Sequence, residues 1–488
     1  MAYFSFLSYI LFASLLSLSC LNNVLCLEKS FGFEGKVIPT LRPHQTYHTL
    51  QLSSLMPAAI CSPSTKVNKN KRTMKVVDKH GPCSQINQDK NIKRPTDAEI
   101  LQQDQARVNS IQSRLSKDSI ETDTTTVPAK SGATIGSANY IVTVGLGTPK
   151  TDLSLIFDTG SDITWTQCVP CSASNCYSQQ QPLFDPSKST SYSNFSCSSQ
   201  QCSMLTSDAD ETQSCSSPTS PCIYGVTYGD GSYTTGYFSK ERISIPPSDV
   251  FDDFLFGCGH NNQGLFRGAA GLLGLGRGKL SFVEQTAQKY DRMFSYCLPS
   301  TSSSTGFLSF GKDNEASGDV IYIPLSTVTR NNSFYGLQLE GISINGRRVS
   351  ISASLFSSSG TIIDSGTVIT RLPATAYSAF RSEFRQQMKD YTFVTVPADS
   401  LLDTCYDFSG NEEVNIPKIS FLFGDGTTVD LDSTGVFYGS DKSKICLAFA
   451  GNNDDTGITI LGNVQQRRLE VVYDIGGGRI GFRPSACA

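Results

Sequence analysis

Two similar all-β lobes with a cleft between them are what this sequence predicts, on three observations. A short apolar run that stops at Asp, a hydroxyl residue and Gly occurs twice, as Leu155-Ile156-Phe157-Asp158-Thr159-Gly160-Ser161 and Thr361-Ile362-Ile363-Asp364-Ser365-Gly366-Thr367. Each run reads as a buried strand and each Asp-hydroxyl-Gly as the tight turn that ends it. From Gly132 onward, short strands alternate with Gly, Pro, Asn and Ser, and 40 glycines with a charged fraction of 17% suit a turn-rich sheet protein. Finally, 488 residues are too many for one ordinary domain and suit two lobes with additions.

Taken in order, residues 1–26 contain no charge, and Phe4 to Leu21 is almost continuously apolar. That pattern predicts a secretory signal peptide and no stable membrane insertion. Residues 27–130 are polar, with 16 Lys+Arg against 10 Asp+Glu, a net of +6, which leaves 24 against 34, or −10, for the rest. Only one stretch there looks ordered, a helix over Thr96 to Leu115. Asp97, Glu99 and Asp104 precede Arg107 and Arg114, the order a helix dipole prefers. Ile100, Leu101, Val108, Ile111 and Leu115 give it an apolar face.

The opposite charges of the two parts predict a propeptide that lies over an acidic cleft and leaves on acidification, against the plainer alternative of a solvated linker. Thr124 to Lys130 reads as the exposed junction, with the mature chain starting between residues 125 and 140.

The N-terminal lobe is expected over 131–325. Tyr140-Ile141-Val142-Thr143-Val144 alternates as a strand before the Gly145-Leu146-Gly147-Thr148-Pro149 turn. After the first Asp motif comes a Ser-, Gln- and Asn-rich insert over 168–222, poor in apolar residues but holding seven cysteines: Cys168, Cys171, Cys176, Cys197, Cys202, Cys215 and Cys222. Cys258, Cys297, Cys405, Cys446 and Cys487 bring the total to twelve, an even number that implies six disulfides in an oxidising compartment. Seven is odd, so at least one cysteine of the insert pairs outside it or stays free. A zinc site at Cys168, Cys171 and Cys176 is disfavoured, because His260, the only histidine after residue 130, lies far off in sequence.

Ser281 to Asp291 and Ala374 to Asp390 are candidate helices. The C-terminal lobe is expected over 326–488, with a soft boundary in the turn-rich region 311–335. Asn194-Phe195-Ser196 and Asn331-Asn332-Ser333 are glycosylation sequons.

The chemistry that suits two buried Asp turns is a carboxylate pair meeting across two lobes. At roughly 3 Å and an effective dielectric near 20, two such charges repel by about 5 kcal/mol, or roughly 4 pKa units. The pair then shares one proton in acid. The ionised member acts as base on a water while the protonated member donates to a carbonyl oxygen, hydrolysing an amide with no cofactor and no metal. Gly160 and Gly366 allow close backbone approach, and the hydroxyls of Thr159, Ser161, Ser365 and Thr367 are placed to orient the carboxylates.

With these motifs the chain resembles the pepsin-like aspartic proteases, and closely the plant nepenthesin-type branch, over roughly residues 138–488. Trp165 follows the first motif at the family spacing. Val226-Thr227-Tyr228-Gly229-Asp230-Gly231-Ser232 looks like the flap hairpin, with Tyr228 closing over substrate, and Leu272-Leu273-Gly274 and Ile460-Leu461-Gly462 match the strands beneath each catalytic Asp. The resemblance implies a bilobal pepsin-like fold with two β-barrel-like lobes, a secreted endopeptidase of protein or peptide substrates, its own propeptide as inhibitor, and a monomer. The Cys-rich insert marks the same branch. Ser365 stands where many relatives carry Thr, keeping the hydroxyl.

Two other functions are weighed. Relatives of this fold include binding proteins that inhibit glycoside hydrolases and have lost catalytic residues, whereas both Asp motifs are intact here. A chloroplast nucleoid relative suggests DNA binding, but a charge of −10 outside the propeptide opposes phosphate contacts. Secretion to the apoplast is expected, with the vacuole as an alternative and the chloroplast disfavoured.

Overall fold

Strands dominate the chain because the apolar runs are short, β-branched or aromatic, and closed by turn residues. A computed structural model describes residues 47–56, 58–63, 72–87, 95–117, 140–208, 212–228, 231–264, 266, 268–312, 320–327, 333–484 and 486–487. All of them belong to one unit, Thr46–Ala488. The expected signal peptide, the junction at 124–130, Gly229, Asp230 and Asn331 lie outside the described residues.

The largest sheet has 15 strands. Thr151–Asp158, which ends at the first Asp, lies between Tyr140–Leu146 and Gly271–Gly274. Glu470–Asp474 and Arg479–Arg483 join this sheet beside Met293–Cys297 and Ile321–Pro324. The sheet is therefore not confined to one side of residue 325. Around the second motif, Thr361–Ile363 and Thr459–Leu461 form the centre of a five-stranded sheet, with two four-stranded sheets packed in the same half.

The two motifs are built alike. Gly274 pairs in parallel with Asp158, and Ile460 and Leu461 pair in parallel with Ile362 and Ile363. Gly274 N–H donates to Thr164 Oγ1 (3.2 Å), and Gly462 N–H donates to Thr370 Oγ1 (2.9 Å). Thr164 and Thr370 each stand six residues after their Asp.

One expectation is corrected. Residues 27–130 hold more than a single ordered stretch. Tyr47–Gln51 pairs antiparallel with Glu413–Pro417, and Thr73–Asp78 inserts between Thr305–Phe310 and Tyr140–Leu146 in the large sheet. A disulfide joins Cys61 to Cys83. These strands are short, and their order comes from ladder partners on distant segments, Glu413–Pro417, Thr305–Phe310 and Tyr140–Leu146, which no local pattern displays.

The helix was legible: it runs Asp97–Lys117. Thr96 accepts from the Glu99 N–H (3.2 Å) while Glu99 accepts from the Thr96 N–H (2.7 Å), a reciprocal cap that starts it.

Of the other expected helices, Ser281 to Asp291 is corrected to two short turns, Phe282–Gln285 and Ala287–Tyr290. Thr286 breaks them by donating its hydroxyl to Phe282 O (2.7 Å). The second begins at Ala374 as expected and ends at Gln387. Gln200–Asp208, inside the insert, and Ser354–Ser359 are helices the sequence did not suggest.

All twelve expected cysteines pair: Cys168–Cys258, Cys171–Cys176, Cys197–Cys215, Cys202–Cys222, Cys297–Cys487 and Cys405–Cys446. Cys168 is the member of the insert that pairs outside it. Asn194 is exposed in a two-residue strand beside Ser239 and Lys240. No helix among the described residues is long and apolar enough to cross a membrane.

Candidate active site

Each Asp turn closes on its own carboxylate. The Gly160 N–H (3.1 Å) and the Ser161 hydroxyl (2.9 Å) donate to Asp158, and the Gly366 N–H (3.2 Å) and the Thr367 hydroxyl (2.6 Å) donate to Asp364. The hydroxyls of Thr159 and Ser365 are used differently from the sequence expectation. Thr159 N–H donates to Ser365 Oγ (3.1 Å), and Ser365 N–H donates to Thr159 Oγ1 (2.9 Å). This reciprocal pair ties one motif to the other instead of orienting the carboxylates. Their position between the Asp and the Gly points them across the interface, a direction that only the assembled halves define.

Sequence reasoning missed the ligand of both carboxylates. Arg107, from the helix Asp97–Lys117, places Nη2 2.7 Å from Asp158 Oδ1 and 2.8 Å from Asp364 Oδ1, so one nitrogen reaches both. Its Nε donates to Asp364 Oδ2 (2.8 Å), and Nη1 makes a longer contact with Asp158 Oδ2 (3.4 Å). Arg107, Asp158 and Asp364 are all completely buried.

The glycines explain the approach. A Cβ on Gly160 would lie 2.7 Å from Arg107 Nη2, and one on Gly366 would lie 2.2 Å from Arg107 Cζ. A side chain at either position would push the guanidinium off the pair.

One cation faces two carboxyls, and they titrate apart. Burial, with the charge of Asp364, holds the Asp158 carboxyl above the usual range despite Arg107. Burial alone would raise Asp364 too, but two bonds from Arg107, the Thr367 hydroxyl and the Gly366 N–H outweigh it and hold it low. The opposite directions follow the contacts, since Asp364 takes two short bonds from the guanidinium and Asp158 one. Burial opposes the charge on Arg107, but the two carboxylates outweigh it and raise its pKa, so the guanidinium stays charged.

A sequence signal for Arg107 did exist. Asp104, Arg107, Val108 and Ile111 lie on one buried stripe of the helix, at i, i+3, i+4 and i+7. Charged residues in the register of an apolar face have to be paired with something. Reading Asp104 and Arg107 only as dipole partners hid that.

Tyr228 begins the hairpin between Ile223–Thr227 and Tyr233–Ile245, where Gly231 takes φ +82°. Its hydroxyl accepts from Trp165 Nε1 (2.7 Å), and both rings meet Phe266 edge-on at 5.5 and 4.8 Å. Tyr228→Phe is expected to lower the stability of the full-length chain by about 1–3 kcal/mol, because a buried indole N–H loses its acceptor. The same change should raise the KM for peptide hydrolysis. Thermal unfolding and peptide hydrolysis check this, and an unchanged midpoint would remove the hydrogen bond from the account.

Two matched Asp turns, cross-tied and sharing one site between two halves of an all-β chain, define the class of bilobal aspartic peptidases. Comparison with known proteins agrees. Residues 140–312 match the family model described as Xylanase inhibitor N-terminal, and residues 334–484 match Xylanase inhibitor C-terminal. An aspartyl protease family protein of Arabidopsis thaliana is 54% identical over 448 residues, covering 90% of this chain and 93% of its own. Aspartic proteinase nepenthesin-2 of Nepenthes gracilis is 37% identical over 363 residues, covering 72% and 78%. The crystal structure of EDGP shares the fold, with a TM-score of 0.56 at 20% identity over 71% of this chain and 91% of that one. The chain belongs to the pepsin-like aspartyl protease family, a family of aspartic endopeptidases.

Proposed function

We propose that this protein is a secreted zymogen of an aspartic endopeptidase that hydrolyses peptide bonds of proteins in acid. Asp158 and Asp364 activate a water molecule, one carboxylate taking its proton while the protonated partner donates to the scissile carbonyl oxygen. The observation that carries the reading is the Arg107 guanidinium seated on both carboxylates, in the place a water and a carbonyl would need. Residues 27–130 then act as the propeptide and first inhibitor. Val108 and Ile111 of its helix pack with Phe334, Ile362, Ile458 and Ile460, so removing the helix opens an apolar trough beside the pair. An extended peptide takes that trough, with Tyr228 closing over it.

Seven disulfides and the uncharged apolar stretch at residues 1–26 support secretion to the apoplast or the vacuole. The exposed side chain of Asn194 supports glycosylation, and Asn331 remains the second candidate. The enzyme acts as a monomer on protein or peptide substrates, without cofactor, metal or nucleic acid.

The pH sign follows from the contacts. Arg107 lowers the pKa of both carboxyls relative to a cleft without it. The clasp is therefore complete above the range where both titrate and is lost as pH falls through that range. Asp158, held high, loses its charge first, and Asp364, held low, loses it last.

The test is an acid shift of the purified precursor between about pH 6 and about pH 3, around the carboxylate range, with and without pepstatin. A pepstatin-blocked cut near residues 120–140, followed by peptide hydrolysis, is the expected result. Cutting that requires another protease, followed by activity, would remove self-activation alone. A correctly processed chain with no hydrolysis in that range would move the case to a binding protein, the role named in the family models.

A further inference from the structure

One turn before Arg107, the same helix makes a second buried ionic contact that inhibition of the dyad does not require. Asp104 Oδ1 accepts from the Val368 N–H (2.7 Å), and Oδ2 accepts from the Ile369 N–H (3.1 Å) and from Arg371 Nη2 (2.9 Å). Both side chains are buried. The three donors converge on one carboxylate, and they belong to the C-terminal half, immediately after the Asp364-Ser365-Gly366-Thr367 turn. Their distance from the catalytic pair is thus fixed by covalent register.

Arg371 cannot follow the helix out. Its backbone lies in the strand Thr370–Leu372, paired with Ala450 on one side and Ile460 on the other. Its Nη1 donates to Ile369 O (2.8 Å), and Nε has no hydrogen-bond partner among the described residues. Gln105 adds only a long contact to Nη2 (3.5 Å). Burial opposes the charge on Arg371 and Asp104 supports it, with burial the larger effect. Once Asp104 leaves, a cation and two backbone N–H groups are left aimed at one point beside the cleft. A carboxylate is the group whose geometry answers all three donors at once.

We infer that the activated cleft contains a carboxylate-binding subsite, formed by Arg371 and the N–H groups of Val368 and Ile369, that selects peptides carrying Asp or Glu at one position near the scissile bond. The propeptide occupies this subsite in the precursor, so Asp104 is a mimic of the substrate's acidic side chain. The inference rests on the peptidase reading above. It deepens that reading by naming a substrate class. A site built of buried donors discriminates strongly against an isostere that cannot answer them.

The experiment uses the full-length precursor, acid-activated and freed of its propeptide, residues 27–130. Fluorogenic peptides carry a single Asp or Glu at successive positions on both sides of the scissile bond, beside isosteric Asn or Gln sets. The assay runs near pH 5, where free Asp and Glu side chains, of ordinary pKa about 3.9 and 4.3, are mostly ionised.

At one position, kcat/KM is expected to be at least about tenfold higher for the acidic peptide than for its neutral isostere, carried mainly by KM. Arg371→Gln should bring that ratio to near one, and Arg371→Lys should keep part of it. A wild-type ratio near one at every position overturns the subsite, as does a preference that persists in Arg371→Gln. The wild-type ratio decides the matter even if a variant does not fold. Cleavage of the neutral peptides reports separately on the peptidase reading, so the two failures are distinguishable.

Discussion

Replacing Arg107 by Met in the full-length precursor is expected to release peptide hydrolysis without any cut in the chain. Among the described residues the guanidinium is the one cation that reaches both carboxylates, and it makes three short hydrogen bonds to them. Removing one partner of a buried ion pair typically costs about 3–5 kcal/mol. At about 1.4 kcal/mol per decade, the closed state should lose about 10²- to 4 × 10³-fold of its advantage. Three features keep that below full release. The helix still holds its apolar contacts through Val108 and Ile111, and Asp104 still binds Arg371. The freed carboxyl pair also lowers its own cost by sharing a proton. Activity of the uncut variant against a small peptide, followed beside chain mass, measures the effect. A folded Arg107→Met precursor as silent as the wild type throughout the acid range would show that the helix blocks the cleft by bulk alone.

The second large effect is on the carboxylates themselves. In the activated enzyme, Asp158→Asn and Asp364→Asn should each lower kcat by about 10²- to 10⁴-fold, the range for loss of a general acid or base. In the precursor the two substitutions should differ. Arg107 spends two 2.8 Å bonds on Asp364 but one short and one 3.4 Å contact on Asp158. Asp364→Asn should therefore loosen the clasp more, and give the lower thermal midpoint of the two. Equal midpoints would argue that the guanidinium treats the pair symmetrically. Retained hydrolysis in either activated variant would remove that carboxylate from the chemistry.

These two results read different parts of the chain, and the sequence displayed them unequally. Asp158 and Asp364 were visible because each ends an apolar strand in a turn that a buried carboxylate does not ordinarily occupy. The helix Asp97–Lys117 was visible through its acidic residues preceding basic ones and its apolar register. The role of Arg107 was not, although its place on the buried stripe with Val108 and Ile111 was a usable sign. The strands Tyr47–Gln51 and Thr73–Asp78 had no comparable sign, since each depends on partners far along the chain.

The cysteines divide in the same way. Their even number and their crowding in the insert set an expectation of six bridges, but the choice of Cys258 as the partner of Cys168 depends on a parallel pairing, Cys258 with Thr166, that brings distant strands side by side.

By itself the sequence determined the all-β class, the paired Asp turns, the hairpin at Tyr228 and the existence of a helix upstream. All of these are local patterns, written in residue spacing of two, of three to four, or in a turn triplet. Only the tertiary structure decided which groups those patterns would meet. It crossed Thr159 with Ser365, set one guanidinium between two carboxylates 206 residues apart, and seated Asp104 on Arg371. Local conformational preference acts over a few residues, whereas the pairing of buried charges is set by desolvation, which depends on every segment that closes around them.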